Sequence, residues 1–130
     1  MARAHRWLLP VMMGLLAGVV AGCASEADRM KGTWRGTLDL GRMKPGATLR
    51  VVCNVQKNSD GTLAGTLDSP DQGATGIPLD AVTVKDGAFH LQLNKLLASY
   101  DGTVSKDHSE IVGQWKQGPN SLPLTFKKDR

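Results

Sequence analysis

The stretch TWRGTLDL, residues 33–40, alternates between two kinds of side chain. Trp34, Gly36 and Leu38 fall on one side of an extended chain, while charged and hydroxyl-bearing side chains fall on the other. A period of two is typical of a β-strand with one buried face and one solvated face. The same period recurs in TLRVVCNVQ (48–56), TLAGTLD (62–68), AVTVK (81–85), AFHLQLN (88–94), EIVGQWK (110–116) and LPLTFK (122–127).

Short clusters of turn-forming residues separate these alternating segments, as hairpins require. They include Asn58–Gly61, Lys85–Gly87 and Gln117–Asn120. No amphipathic helical period of useful length interrupts the pattern. Residues 32–128 are therefore predicted to form one all-β domain, an antiparallel up-and-down β-barrel of about eight strands. A barrel protects its strand edges by closing, and a curved two-sheet sandwich is the alternative.

The first residues have the features of a secretory signal. Arg3 and Arg6 precede an apolar run that is too short to span a bilayer, which takes about 20 apolar residues. The sequence Val-Ala-Gly-Cys at 20–23 resembles the lipobox of bacterial lipoproteins. The resemblance implies cleavage after residue 22, lipidation of Cys23, a tether at 23–31 and attachment to a membrane. The alternative is an ordinary signal peptide with an incidental cysteine.

The predicted compartment is the cell envelope. Ala24 stands where an aspartate resembles an inner-membrane retention signal, so in a Gram-negative host we expect the outer membrane, with the domain facing the periplasm. Loss of the signal peptide lowers the formal net charge from +4 to about +2, and no basic stripe remains. Nucleic acid is therefore not an expected partner.

No catalytic or metal-binding motif stands out in the sequence. The Gly-x-Ser-x-Gly elbow of α/β-hydrolases is missing. His90 and His108 are too few and too scattered for a zinc site, and Cys53 falls on a strand face, where we expect a buried thiol. The chain is accordingly predicted to be non-catalytic, with no cofactor and no bound metal.

The inward-facing glycines suggest two alternatives for the barrel interior. Glycine in a strand marks a bend or a close approach of another group, so the core is either filled or left partly hollow for a small apolar ligand. The candidate interior or ligand-lining residues are Trp34, Gly36, Gly65, Phe89, Tyr100, Gly102, Gly113, Trp115 and Phe126.

Two family resemblances concern the domain itself. Gly32-Thr33-Trp34 is similar to the G-x-W signature of lipocalin and avidin-like barrels, which implies that Trp34 closes one end of the barrel. The span 31–128 also resembles a small β-domain that precedes α/β-hydrolase domains in secreted bacterial proteins. The segments that carry this second resemblance are GTWRGTLDL (32–40), SPDQGATGIPLD (69–80), Tyr100-Asp101-Gly102, Gly113-Gln114-Trp115 and SLPLTFKK (121–128).

The sequence therefore leads to two functional hypotheses. The first is a lipid-anchored binding module for a small apolar ligand or a protein partner. The second is an accessory module that acts in trans with an ester hydrolase or the cell envelope, because the hydrolase domain of the resembled architecture does not follow. In both cases Asp71, Gln72 and Asp80 are candidate rim residues for ligand or partner contact.

Overall fold

The computed structural model describes residues 25–129 as one helix, two short 3-10 turns and nine strands. The predicted signal peptide and Cys23 lie outside these residues, and none of the helices within them is long and apolar enough to cross a bilayer. The elements are α1 (Glu26–Met30), β1 (Gly32–Asp39), β2 (Thr48–Lys57), β3 (Leu63–Ser69), β4 (Ala74–Pro78), β5 (Ala81–Lys85), β6 (Ala88–Leu93), β7 (Ala98–Val104), β8 (Glu110–Gln117) and β9 (Asn120–Lys128), with 3-10 turns at Pro70–Gln72 and Asn94–Leu96.

All nine strands belong to one antiparallel sheet with the order β4-β3-β2-β1-β9-β8-β7-β6-β5. Each strand pairs with the next strand along the chain except at the β4–β5 connection, and β1 pairs with β9. This up-and-down, all-β arrangement was predicted from the alternation and is confirmed. The alternative, a curved sandwich, would need two sheets, whereas all nine described strands belong to one.

The two edges of the sheet meet at the connection between β4 and β5. The Leu79 N–H donates to the Gly65 carbonyl of β3 at 3.0 Å, and the Asp80 N–H donates to the Gln92 carbonyl of β6 at 2.8 Å. The segment 74–85 therefore acts as one broken strand that bonds first to β3 and then to β6. The two parts of this segment count as β4 and β5 among the nine strands, in agreement with the predicted number of about eight.

Alternating side chains from every strand except β4 form the buried core inside the curled sheet. Hydrophobic burial of this kind supplies the main stabilising free energy of a domain. All residues of the described core lie between Met30 and Phe126. A protein segment comprising residues 24–130 therefore contains the whole described core and is suitable for the experiments below. The largest fully buried side chains are Trp34, Tyr100, Phe89, Phe126, Met30, Leu91, Leu93, Ile111, Leu124 and Cys53.

Helix α1 covers one end of the barrel, which we call the closed end. Ser25 and Asp28 form a capping box that starts the helix, and Met30 at its last turn is fully buried. The Glu26 carboxylate accepts hydrogen bonds from the Asp86 and Gly87 N–H groups in the β5–β6 turn. Of the predicted tether at 23–31, the described part is thus helical and packed on the barrel.

The other end, which we call the open end, has no helix over it in the described residues. It is formed by the loops that follow alternate strands: the β1–β2 loop (40–47), the β3–β4 loop (70–73), the β6–β7 loop (94–97) and the β8–β9 turn (118–119). The β1–β2 and β6–β7 loops lie on opposite sides of this end, because β9 and β8 separate them in one direction around the sheet and β3, β4 and β5 separate them in the other.

Candidate functional site

The open end contains an apolar cavity of about 190 Å³ that reaches into the core. It is more enclosed than three other main concavities of the described surface. Its volume is below the roughly 300–1,000 Å³ of pockets for drug-sized ligands, so it fits the end of a narrow ligand. The lining residues are Leu38, Leu49, Val51, Leu67, Ser69, Gln72, Ala74, Ile77, Leu96, Trp115 and Gln117.

Three polar side chains stand at the edge of this apolar lining, and hydrogen bonds fix each of them. The Ser69 hydroxyl donates to Gln72 Oε1 at 2.8 Å. Gln117 accepts from the Trp115 indole N–H at 3.2 Å and donates through Nε2 to the Leu96 carbonyl at 3.1 Å. The site is therefore a preformed apolar opening with a small number of oriented polar groups, which is the usual design of a small-molecule pocket.

The three predicted rim residues have different positions and partners. Asp71 accepts from the Arg50 backbone N–H at 2.8 Å and from the Arg50 guanidinium at 2.7 Å, and these bonds lower the pKa of its carboxyl group. Asp80 accepts from the Asn94 N–H at 2.6 Å. Of the three, only Gln72 lines the cavity, while the two aspartates hold the neighbouring loops in place.

The predicted interior aromatic residues are all buried, but only Trp115 lines the open-end cavity. The Tyr100 ring packs edge-on against Phe126, with ring centroids 5.0 Å apart, and against Phe89 at 6.4 Å. Its hydroxyl donates to the Leu124 carbonyl at 2.8 Å and lies 3.2 Å from the Ile111 carbonyl, and burial raises the pKa of this phenol. This cluster fills the middle of the barrel.

The four predicted interior glycines lie where neighbouring atoms leave no room for a side chain. A Cβ at Gly113 would be 2.1 Å from the Asp101 carbonyl oxygen, and one at Gly65 would be 2.5 Å from the Asn54 oxygen. A Cβ at Gly102 would meet the Tyr100 hydroxyl at 2.9 Å, and Gly36 is similarly close to β9. Here the glycines permit close strand approach, and the volume they leave is occupied.

Trp34 lies at the closed end, fully buried. Its indole N–H donates to the Met30 carbonyl at 2.9 Å, which joins β1 to the last residue of α1. The Lys128 ammonium lies 5.6 Å from the centre of the ring, within the range of a cation–π contact. Trp34 thus fills the closed end of the barrel beneath α1.

Cys53 is buried in β2, and burial, followed by the nearby Asp68 charge, raises the pKa of its thiol to about 12. Because the thiolate is the reactive form, native Cys53 in the segment 24–130 is expected to resist a thiol reagent at mildly alkaline pH. The unfolded segment is expected to react fully under the same conditions. Absorbance of the released reagent measures both rates, and equal rates would contradict the buried position.

The histidines of the described structure are not arranged with other side chains as a catalytic or metal-binding group would be. His90 Nδ1 lies 2.6 Å from the Asp101 carboxylate on the outer face of the sheet, as its outward position in AFHLQLN predicts. Among the described residues, no hydroxyl or thiol is hydrogen-bonded to either histidine, and no three His, Cys, Asp or Glu side chains are grouped closely enough to hold a metal ion.

Two wider depressions on the described surface are open to solvent. One of about 400 Å³ lies at the closed end, beside Asp107, His108 and Lys128. The other, of about 680 Å³, lies beside Arg42 and Pro123, toward the open end from the last β1–β9 pair, Arg35 and Lys127. Both depressions are more open than the cavity at the open end, which is therefore the best candidate for a binding site.

Sequence reasoning missed most of the cavity residues, including Ser69, Leu96 and Gln117. A partial signal was available: loops after alternate strands share one end of an up-and-down barrel. Gln72, Leu96 and Gln117 fall at one end by this rule once the segment 74–85 is counted as a single strand. The chain matches no family model and no curated protein, so its functional assignment depends on this geometry.

Proposed function

We propose that the chain is a non-catalytic, envelope-anchored β-barrel module that binds the end of a narrow apolar ligand, such as an acyl chain, in the open-end cavity. The single observation that carries the proposal is the preformed cavity of about 190 Å³, in which core side chains of β1, β2, β3 and β8 meet a polar edge. The proposed anchor is the lipid on Cys23, expected from the lipobox resemblance.

The chemistry of the lining favours an aliphatic ligand with a polar head. Leu38, Val51 and Leu67 form the inner wall, and each buried methylene of a ligand contributes about 0.8 kcal/mol. Gln72 and Gln117 stand at the edge, where an amide can hydrogen-bond a carboxylate or hydroxyl group. Action in trans with an ester hydrolase stays a prediction from the resemblance to hydrolase-associated domains.

The proposal is tested by titrating a short fluorescent fatty acid into the segment 24–130 and recording energy transfer from tryptophan. Ala74→Phe places a ring in the cavity and is expected to weaken probe binding at least tenfold, because the site has little spare volume. Ala88→Phe adds the same ring at an exposed position on β6 outside the lining and is expected to leave binding unchanged.

Both variants should first be shown to be folded by circular dichroism. Absence of saturable binding in the folded wild-type segment would overturn the proposal. Equal weakening by the two substitutions would mean that the probe binds elsewhere on the surface.

A further inference from the structure

The two 3-10 turns at the open end have the same backbone geometry but different residues at the critical position. Each has three residues and ends in a left-handed residue whose N–H donates to the first carbonyl of the turn. The left-handed residue is Gly73 in the first turn, with φ 68° and ψ 20°, and Leu97 in the second, with φ 52° and ψ 41°. Glycine adopts this conformation without strain, whereas a bulky residue does not.

Leu97 gains no burial in return for this strain. Its surface is 77% exposed, the largest value among the exposed large hydrophobic residues of the described chain. Because burial does not account for a leucine at this left-handed position, the residue points to a function of its exposed side chain. Leu96 beside it is 38% exposed, and Met43, in the loop on the opposite side of the open end, is 54% exposed. We call these three side chains the apolar tip; Leu96 lines the cavity, and Leu97 and Met43 stand on loops at the same end of the barrel.

The two loops that carry the apolar tip, 40–47 and 94–97, bear only positive charges. Arg42 and Lys44 flank Met43, and Lys95 precedes Leu96. None of the three cations forms an ion pair among the described residues, and neither loop, 40–47 or 94–97, contains an acidic residue. The nearby carboxylates of Asp39, Asp71 and Asp80 already accept hydrogen bonds from backbone N–H groups.

We propose that the open end docks on the surface of a lipid bilayer that contains anionic phospholipids. The apolar tip inserts among the headgroups, and Arg42, Lys44 and Lys95 lie against their phosphates. Apolar insertion combined with attraction between basic side chains and anionic lipids is the basis of peripheral membrane binding. The cavity then opens toward the acyl chains, so this inference rests on the proposed function for its purpose.

The first test is co-sedimentation of the segment 24–130 with vesicles of phosphatidylcholine and phosphatidylglycerol at low ionic strength. The unlipidated segment is used because a lipid on Cys23 would itself attach the chain to vesicles. Leu97→Gly is expected to weaken partitioning about tenfold through loss of one inserted leucine. Val112→Ser removes a hydrophobic residue that is 55% exposed on the side of the barrel and is expected to have no effect.

The second test addresses charge. Lys95→Ala is expected to weaken partitioning about fivefold, the effect of one basic residue near an anionic surface, and added salt should reduce the difference. Lys85→Ala, at the exposed end of β5 on the closed end, serves as the control. Wild-type binding to vesicles of phosphatidylcholine alone should be weak.

The outcomes separate this inference from the proposed function. Leu97 does not line the cavity, so Leu97→Gly should retain binding of the fatty acid probe in solution, while Ala74→Phe should retain vesicle binding. Absence of wild-type binding to anionic vesicles would overturn membrane docking and assign the apolar tip to a protein partner. Equal losses for Leu97→Gly and Val112→Ser would also overturn it.

Discussion

Gly113→Ala is expected to lower the free energy of unfolding by about 3 kcal/mol, the upper end of the usual cost of overpacking. The new Cβ would lie 2.1 Å from the Asp101 carbonyl oxygen and 2.5 Å from the Gly102 Cα. Both contacts are backbone atoms of β7, so no side-chain rotation can relieve them. Relief requires β7 and β8 to separate, which disturbs Tyr100 and the hydrogen bond from its hydroxyl to the Leu124 carbonyl.

The measurement is equilibrium denaturation of the segment 24–130. Gly41→Ala is a matched control, because a Cβ there meets only the Asp39 side chain, at 3.0 Å, and φ lies outside the left-handed region. Its effect is expected to stay within about 0.5 kcal/mol. A Gly113→Ala variant as stable as this control would show that the strands do not approach as closely as described.

The second large effect is expected at the closed end. Trp34→Ala should cost about 4 kcal/mol, as is typical for loss of a buried aromatic residue, because Trp34 is fully buried. The variant also loses the hydrogen bond to the Met30 carbonyl, so α1 should detach from the barrel before the sheet unfolds. Hydrogen exchange across residues 26–30 should therefore become faster than in the wild type, while exchange in the strands changes less.

Trp34→Phe separates the two contributions, since it keeps most of the apolar packing and removes only the indole donor. Its loss of stability should be clearly smaller than that of Trp34→Ala, while exchange in α1 should still be faster than in the wild type. Unchanged exchange in α1 for both variants would mean that Met30 and Glu26 hold the helix without help from Trp34.

The fold could be predicted from the sequence because alternation and turn residues are local signals. The run 33–40 shows its buried face directly, and hairpin turns such as Lys85–Gly87 fix antiparallel pairing. The change of hydrogen-bonding partner at Leu79–Asp80, from β3 to β6, could not be predicted, since it depends on which neighbouring strand each half of the segment 74–85 can reach.

The site was less predictable because it depends on distances between strands in the folded structure. Whether Gly113 leaves an empty volume or admits a neighbouring backbone depends on the spacing of β7 and β8, which no residue type encodes. The turn at 94–97 was equally hidden, because Leu97 occupies a left-handed position that turn statistics assign to glycine or asparagine. In contrast, Gln72 was predicted to be a polar residue at one end of the barrel because its loop contains typical turn residues, and it lines the open-end cavity.

The position of α1 has a consequence for where the ligand would be held. Only Ala24 and Ser25 separate the predicted lipid on Cys23 from the helix, so the closed end would stand within about 10 Å of its own membrane. A tilted strand of eight residues adds roughly 20 Å. The cavity would then open about 30 Å above the anchoring bilayer and face away from it, so a bilayer docked at the apolar tip would be a second one, and the barrel would span the gap between the two.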